Sequence, residues 1–165
     1  MEMLATTRGA AHEAGRGGPG AAVLTDGVAF DMDSAQISCA RDFTRRFLSD
    51  AESRCGVDVP ARARDVALLV VSELATNVCK YAPGPCLLDL DLDGALLGIT
   101  MWDSGALLPA ALGTDPSRAG QHGLEIVLAV CQSFEVRREP VGKRVRVQIS
   151  LLEGRDGEPA GRPAW

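Results

Sequence analysis

Val71-Ser72-Glu73-Leu74-Ala75-Thr76-Asn77-Val78-Cys79-Lys80-Tyr81-Ala82 is the stretch on which the fold turns. Read as a helix, it sets Glu73, Asn77 and Lys80 along one side, while Val70, Val71, Leu74 and Val78 form an adjoining apolar stripe. One element therefore has a core face and a polar face. Taken alone, the segment reads more simply as a solvated edge on an ordinary amphipathic helix. Two motifs further along the chain change that balance.

Working outward, Pro60 opens this helix after the break at Gly56, and Ala82-Pro83-Gly84-Pro85 ends it. Before it, Asp33 or Ser34 caps a helix that runs to about Ala51, with Ile37, Ala40, Phe43, Phe47 and Leu48 as its apolar stripe. Gly27–Asp31 reads as a short first strand. After the central helix, Cys86–Leu92 and Ala95–Trp102 flank Asp93-Gly94, a hairpin signal, and Leu88, Leu90 and Leu92 alternate as one buried face. Residues 104–121 read as a loop, and Gly123–Cys131 as a short helix. Phe134–Arg138 and Arg144–Leu151 form a second hairpin through Glu139-Pro140-Val141-Gly142-Lys143. The order predicts an α+β fold, a two-layer α/β sandwich whose mixed, mostly antiparallel sheet carries its helices on one face.

Residues 1–26 lack periodicity, and Arg16-Gly17-Gly18-Pro19-Gly20 holds neither helix nor strand, so this segment is expected to be a flexible arm. Residues 153–165 have the same character. One domain remains, at residues 27–152.

The chain has 165 residues, 46% hydrophobic and 24% charged, which suits one globular domain with a core of its own. A net charge of -5 gives no global field for nucleic acid, and the apolar runs are too short to span a bilayer. Cys39, Cys55, Cys79, Cys86 and Cys131 are scattered without CxxC spacing, which fits reduced thiols and gives zinc no case. With no secretory signal pattern at the start, the expected setting is the cytoplasm.

The first of the later motifs is Met101-Trp102-Asp103-Ser104-Gly105, at the end of a central strand. A carboxylate there can accept the exocyclic amine of a purine, and the glycine lets backbone approach the ring. The same triplet is also a plain turn. The second is Gly120-Gln121-His122-Gly123-Leu124, a glycine-bearing loop entering a helix, where free N–H groups and the helix dipole suit a phosphate.

In this order and on these elements, Glu73 with Asn77, Asp103 with Gly105, and Gly120 with Gly123-Leu124 resemble the N, G1 and G2 boxes of the GHKL ATP-binding superfamily. The resemblance covers about residues 27–152, extends to Gly142-Lys143 in the last hairpin, and is nearest to the small stand-alone anti-sigma-factor serine kinases. It implies a Bergerat-type fold binding ATP and Mg2+. Asn77 would ligate the magnesium, and Glu73 would be the catalytic base toward an attacking hydroxyl. Asp103 would read the adenine amine beside Gly105. Gly120, His122, Gly123 and Leu124 would form the lid and phosphate contacts, with Lys80 neutralising phosphate charge. A sigma factor and an anti-anti-sigma antagonist are the implied partners, and a homodimer the implied assembly, with neither nucleic acid nor membrane bound directly.

Two departures bear on this expectation. Gln121 stands where the G2 box has its first glycine, and His122 where many small relatives have arginine. A non-catalytic nucleotide-binding or degenerate protein-interaction module is therefore the alternative. Lys80 alone reads also as a solvated charge, His122 as a loop residue without a role, and Tyr81 as a packing residue. The cations Arg137, Arg138, Lys143, Arg144 and Arg146 read most simply as one polar strand face, or more sharply as a partner-docking edge.

Overall fold

The computed structural model describes residues 7–8, 23–105 and 121–152. Among these residues six strands form one sheet: β1 (Thr7–Arg8), β2 (Val23–Met32), β3 (Gly84–Asp93), β4 (Leu96–Asp103), β5 (Ser133–Arg138) and β6 (Lys143–Ser150). Their order across the sheet is β1-β2-β3-β4-β6-β5, and every pairing among them is antiparallel. The sheet thus lies at the antiparallel end of the expectation, with no parallel pair among the described strands. The first strand of the domain begins at Val23, four residues before the expected Gly27, and Thr7–Arg8 pair with its middle at Val28 and Gly27.

Among the described residues three α-helices accompany the sheet: α1 (Ile37–Cys55), α2 (Ala61–Tyr81) and α3 (Gln121–Val130). A 3-10 turn at Ser34–Gln36 precedes α1, and Asp33 caps it, its Oδ1 accepting from the Ala35 N–H at 2.9 Å. The choice left open between Asp33 and Ser34 falls to Asp33. Helix α1 buries Ala40, Phe43, Phe47 and Leu48 of its expected stripe and extends it through Ala51. Helix α2 buries Val70, Val71, Leu74 and Val78. Helix α1 lies over β2 and β3, α2 over β4 and β6, and α3 packs against α2.

Strand alternation sorts the sheet into two faces. Val28, Phe30 and Met32 of β2, Leu88, Leu90 and Leu92 of β3, Leu97, Ile99 and Met101 of β4, and Val145, Val147 and Ile149 of β6 all point under the helices and are buried. The opposite face is polar and internally bonded. Arg146 reaches across β4 to grip Asp91 with two bonds, 2.6 and 3.1 Å, and donates to Thr100 Oγ1 at 3.0 Å. Trp102 Nε1 donates to Asp89 at 3.1 Å, and the Arg144 guanidinium lies 5.3 Å from the Trp102 ring centre.

The first hairpin turns one residue later than its Asp-Gly signal suggests. Asp93 pairs with Leu96, so the two-residue loop is Gly94-Ala95. Gly94 takes φ 61 at the first loop position, the left-handed value that the twist-matched hairpin turns require. All five cysteines are free, and among the described residues no helix is long and apolar enough to cross a membrane.

Candidate functional site

Helix α2 carries its polar residues at graded depth. Asn77 is buried at 9% exposure, Glu73 is half-buried one turn earlier, and Lys80 is exposed in the last turn. Ser72 and Thr76 direct their hydroxyls onto the helix's own carbonyls, Leu68 O at 2.8 Å and Ser72 O at 2.7 Å. That leaves Glu73 and Asn77 as the groups of this face with chemistry to offer. The helix stops as Ala82 leaves helical geometry at φ -149, its N–H still donating to Val78 O at 2.8 Å, and Pro83 follows.

That stopping point meets the end of β4. Gly105 sits so close to Ala82 that a Cβ on residue 105 would overlap the Ala82 methyl group. Asp103, two residues earlier, is 5% exposed, and its Oδ1 accepts the Gly105 N–H at 2.8 Å. The Asp-Ser-Gly segment is therefore a turn, and one whose carboxylate faces the helix layer beneath the end of α2. Met101 and Asp103 point inward while Trp102, between them, points to the outer face. The structure thus brings Asp103 and Gly105 against the end of the helix that bears Glu73, Asn77 and Lys80.

Lys143, read in the sequence among the cations of the last hairpin and given no role of its own, stands at this position. It is placed directly opposite Asp103 in the β4–β6 register, and its Nζ lies 3.1 Å from Asp103 Oδ2. Both side chains are almost fully covered, at 5% and 1% exposure. The contact is an ion pair without hydrogen-bond geometry, since Oδ2 accepts no hydrogen bond among the described residues. The cations of the last hairpin consequently do not share one polar face: Lys143 points in, whereas Arg144 and Arg146 point out. The signal was present in the parity of the strand, because Lys143 precedes Val145, Val147 and Ile149 at even spacing.

Helix α3 begins at Gln121, two residues before the expected Gly123. Gln121, His122, Gly123 and Leu124 therefore lie at the N-terminal end of the described part of this helix. Gly120 lies outside the described residues.

Cys86 stands opposite Asp103 on β3, in the same inner row. Burial, with the negative charge of Asp103 next in importance, pushes its thiol up to about 12. The Cys79 thiol is also raised, by burial and then by the charge of Asp33. Cys86 thus presents a protonated thiol opposite Asp103.

The residues present fit a purine nucleotide carrying a divalent ion. Oδ2 of Asp103 is a buried acceptor that accepts no hydrogen bond among the described residues, which is what an exocyclic amine needs. Among the described residues no three His, Cys, Asp or Glu side chains gather as a metal cluster. An ion held here through Asn77 would take its other oxygens from phosphates and water, the usual coordination of magnesium beside a nucleotide.

Residues 31–149 match the family model described as histidine kinase-like ATPase domain. The chain belongs to that family of ATP-binding, kinase-like domains. Among solved structures it is similar to the histidine kinase domain of the blue-light activated histidine kinase from Erythrobacter litoralis EL346, at 20% identity and a TM-score of 0.47. That alignment covers 68% of this chain and 61% of the other, less than two thirds of its length. Comparison with curated proteins returns no match.

Proposed function

We propose that the protein binds ATP with magnesium and acts as an anti-sigma-type serine kinase, one that holds a sigma factor and phosphorylates its antagonist. The observation that carries this reading is the single face of α2 on which a half-buried Glu73 precedes a buried Asn77 by one turn, ending against Asp103 and Gly105. Asp103 takes the adenine amine. Gly105 leaves room beside the base, and the amides of Gly123 and Leu124 lie toward the phosphates, with Lys80 and His122 as cationic or polar neighbours. Gly120 belongs to the lid in this reading. A homodimer in the cytoplasm is the expected setting.

In the transfer step, a serine Oγ of the antagonist attacks the γ-phosphorus as the bond to the β-phosphate oxygen breaks. Glu73 takes the hydroxyl proton, and ADP leaves. Magnesium, when bound, neutralises phosphate charge, and Asn77 is the residue placed to hold it through its side-chain carbonyl. The remaining work of the chain is to orient the base and exclude water.

A second reading, nucleotide binding without transfer, is favoured by one feature: Gln121 replaces a glycine at the entry to α3. Calorimetric titration of ATP with magnesium separates the possibilities. Wild type is expected to bind, Asn77→Ala and Asp103→Ala to lose binding, and Glu73→Gln to bind normally yet fail to label a serine substrate. Absence of binding heat and of a thermal shift in folded wild type would overturn both readings.

A further inference from the structure

We propose that Lys143 is a specificity-determining residue of the base site: by pairing with Asp103 it fixes the carboxylate as an acceptor and so selects a purine bearing a 6-amino group. This rests on the reading of Asp103 as the residue that meets the base. Four observations support it. Lys143 and Asp103 are directly opposed on neighbouring strands, with Nζ 3.1 Å from Oδ2. Both are at least nineteen-twentieths covered. Oδ1 is held by the Gly105 N–H, whereas Oδ2 accepts no hydrogen bond among the described residues. Gly142, just before Lys143, is wedged on the Asp103 backbone, since a Cβ there would overlap the carbonyl oxygen of Asp103.

The chemistry follows from these positions. An ionised carboxylate only accepts, and away from water it needs a countercharge. Lys143 supplies that charge as a compact ammonium, which pairs with one oxygen without enclosing both, as a guanidinium fork would. The oxygen that meets the ammonium still has a lone pair for an amine. An oxo group at the same position of the base offers that lone pair no proton. Without Lys143 the Gly105 N–H still holds Oδ1, but Oδ2 loses the countercharge that keeps it a pure acceptor, and the preference disappears. A bridge that served only to stabilise the fold would instead affect all nucleotides alike.

Calorimetric titration with magnesium complexes of ATP and of inosine triphosphate, which carries a 6-oxo group, tests this. Wild type is expected to bind ATP about tenfold or more tightly than inosine triphosphate, the worth of one hydrogen bond to a charged group. Folded Lys143→Met is expected to bring the two within about threefold. If that variant does not fold by circular dichroism, Lys143→Arg keeps a cation but encloses both carboxylate oxygens, and it too is expected to lose the preference. Retention of the wild-type ratio in whichever variant is folded overturns the proposal, as does a uniform loss of affinity for both nucleotides. Equal binding of both by wild type overturns it while leaving nucleotide binding intact. Wild type that binds neither overturns the underlying reading of the site, and this is seen before any variant is made.

Discussion

Gly142 and Asp103 meet backbone to backbone. Gly142, at φ 94, lies where a Cβ would overlap the Asp103 carbonyl oxygen and come within 2.7 Å of Ser104 Cα. The last hairpin therefore does more than close the sheet: its loop fixes the end of β4 while its next residue, Lys143, faces the Asp103 side chain.

This contact predicts an unequal cost for two glycine substitutions. Gly142→Ala meets both a left-handed backbone and occupied space, and is expected to lose about 3 kcal/mol or more. Gly94→Ala meets only the backbone, at φ 61 with nothing within 4 Å, and is expected to lose about 1 kcal/mol. Urea unfolding of both variants checks the order, and equal losses would show that the Gly142 contact carries no weight.

A second expectation concerns pH. The Cys86 thiol is raised to about 12 in the folded chain against an ordinary value near 9, so the native state keeps a proton that the unfolded chain releases. Its contribution is whole below pH 9 and is lost as pH rises from 9 toward 12. Stability should thus decline above pH 9, and Cys86→Ala should decline less steeply, with Cys79 and Cys131, also raised, retaining part of the slope. Urea midpoints between pH 7 and pH 10.5 give the comparison. Parallel curves for the two proteins would argue against a buried, protonated Cys86.

A third concerns the outer face. Arg146 and Asp91 are about 30% exposed, with side-chain exposures of 28% and 31%, and form a forked pair braced by Thr100. Such a pair in partial contact with water is expected to show a coupling energy of about 1 kcal/mol in a double-mutant cycle of Arg146→Ala and Asp91→Ala. The coupling should shrink in 1 M salt. Gly98 lies beneath this pair, since a Cβ there would crowd Asp91 and come 2.7 Å from Arg146 Nη2. Gly98→Ala should therefore abolish most of the coupling, and a full coupling in that background would place the pair elsewhere.

How far these features were legible in the sequence depends on whether they are local. The stripes Ala40, Phe43, Phe47, Leu48 and Val70, Val71, Leu74, Val78 give α1 and α2 directly, because burial repeats with the helix turn. Alternation likewise gives β3 and β6. The turn of the first hairpin shifted by one residue because Gly94 takes the first loop position and leaves Asp93 in the ladder. The strand order β4-β6-β5 and the pairing of Thr7–Arg8 with β2 depend on partners far apart in sequence, and a two-residue strand has no period to read. Asp103, Asn77 and Glu73 were legible as types at spacings. Lys143 stands next to Arg144 and close to Arg146 and so resembles one of a solvated cation row, although strand parity alone turns it inward.

The last prediction follows from Gly105 and Ala82. A methyl group on residue 105 would overlap the Ala82 methyl group and come 3.1 Å from Asp103 Oδ1, so Gly105→Ala must push the end of β4 away from α2 or turn the Asp103 carboxylate. The Gly105 N–H bond to Oδ1 would be strained in the same movement. We expect about 1–3 kcal/mol of lost stability, the usual cost of overpacking, and a loss of ATP affinity of about tenfold or more. Ala82→Gly removes the obstructing methyl group from the other side. In the double variant Gly105→Ala with Ala82→Gly, the new methyl group occupies the space vacated, with Ala82 Cα in the parent structure already 3.6 Å from it. Affinity should then recover most of the way, even if the glycine added at the end of α2 costs some stability. Recovery of stability without affinity would mean that Gly105 serves the base directly, through the backbone surface it leaves open, and not through its fit against α2.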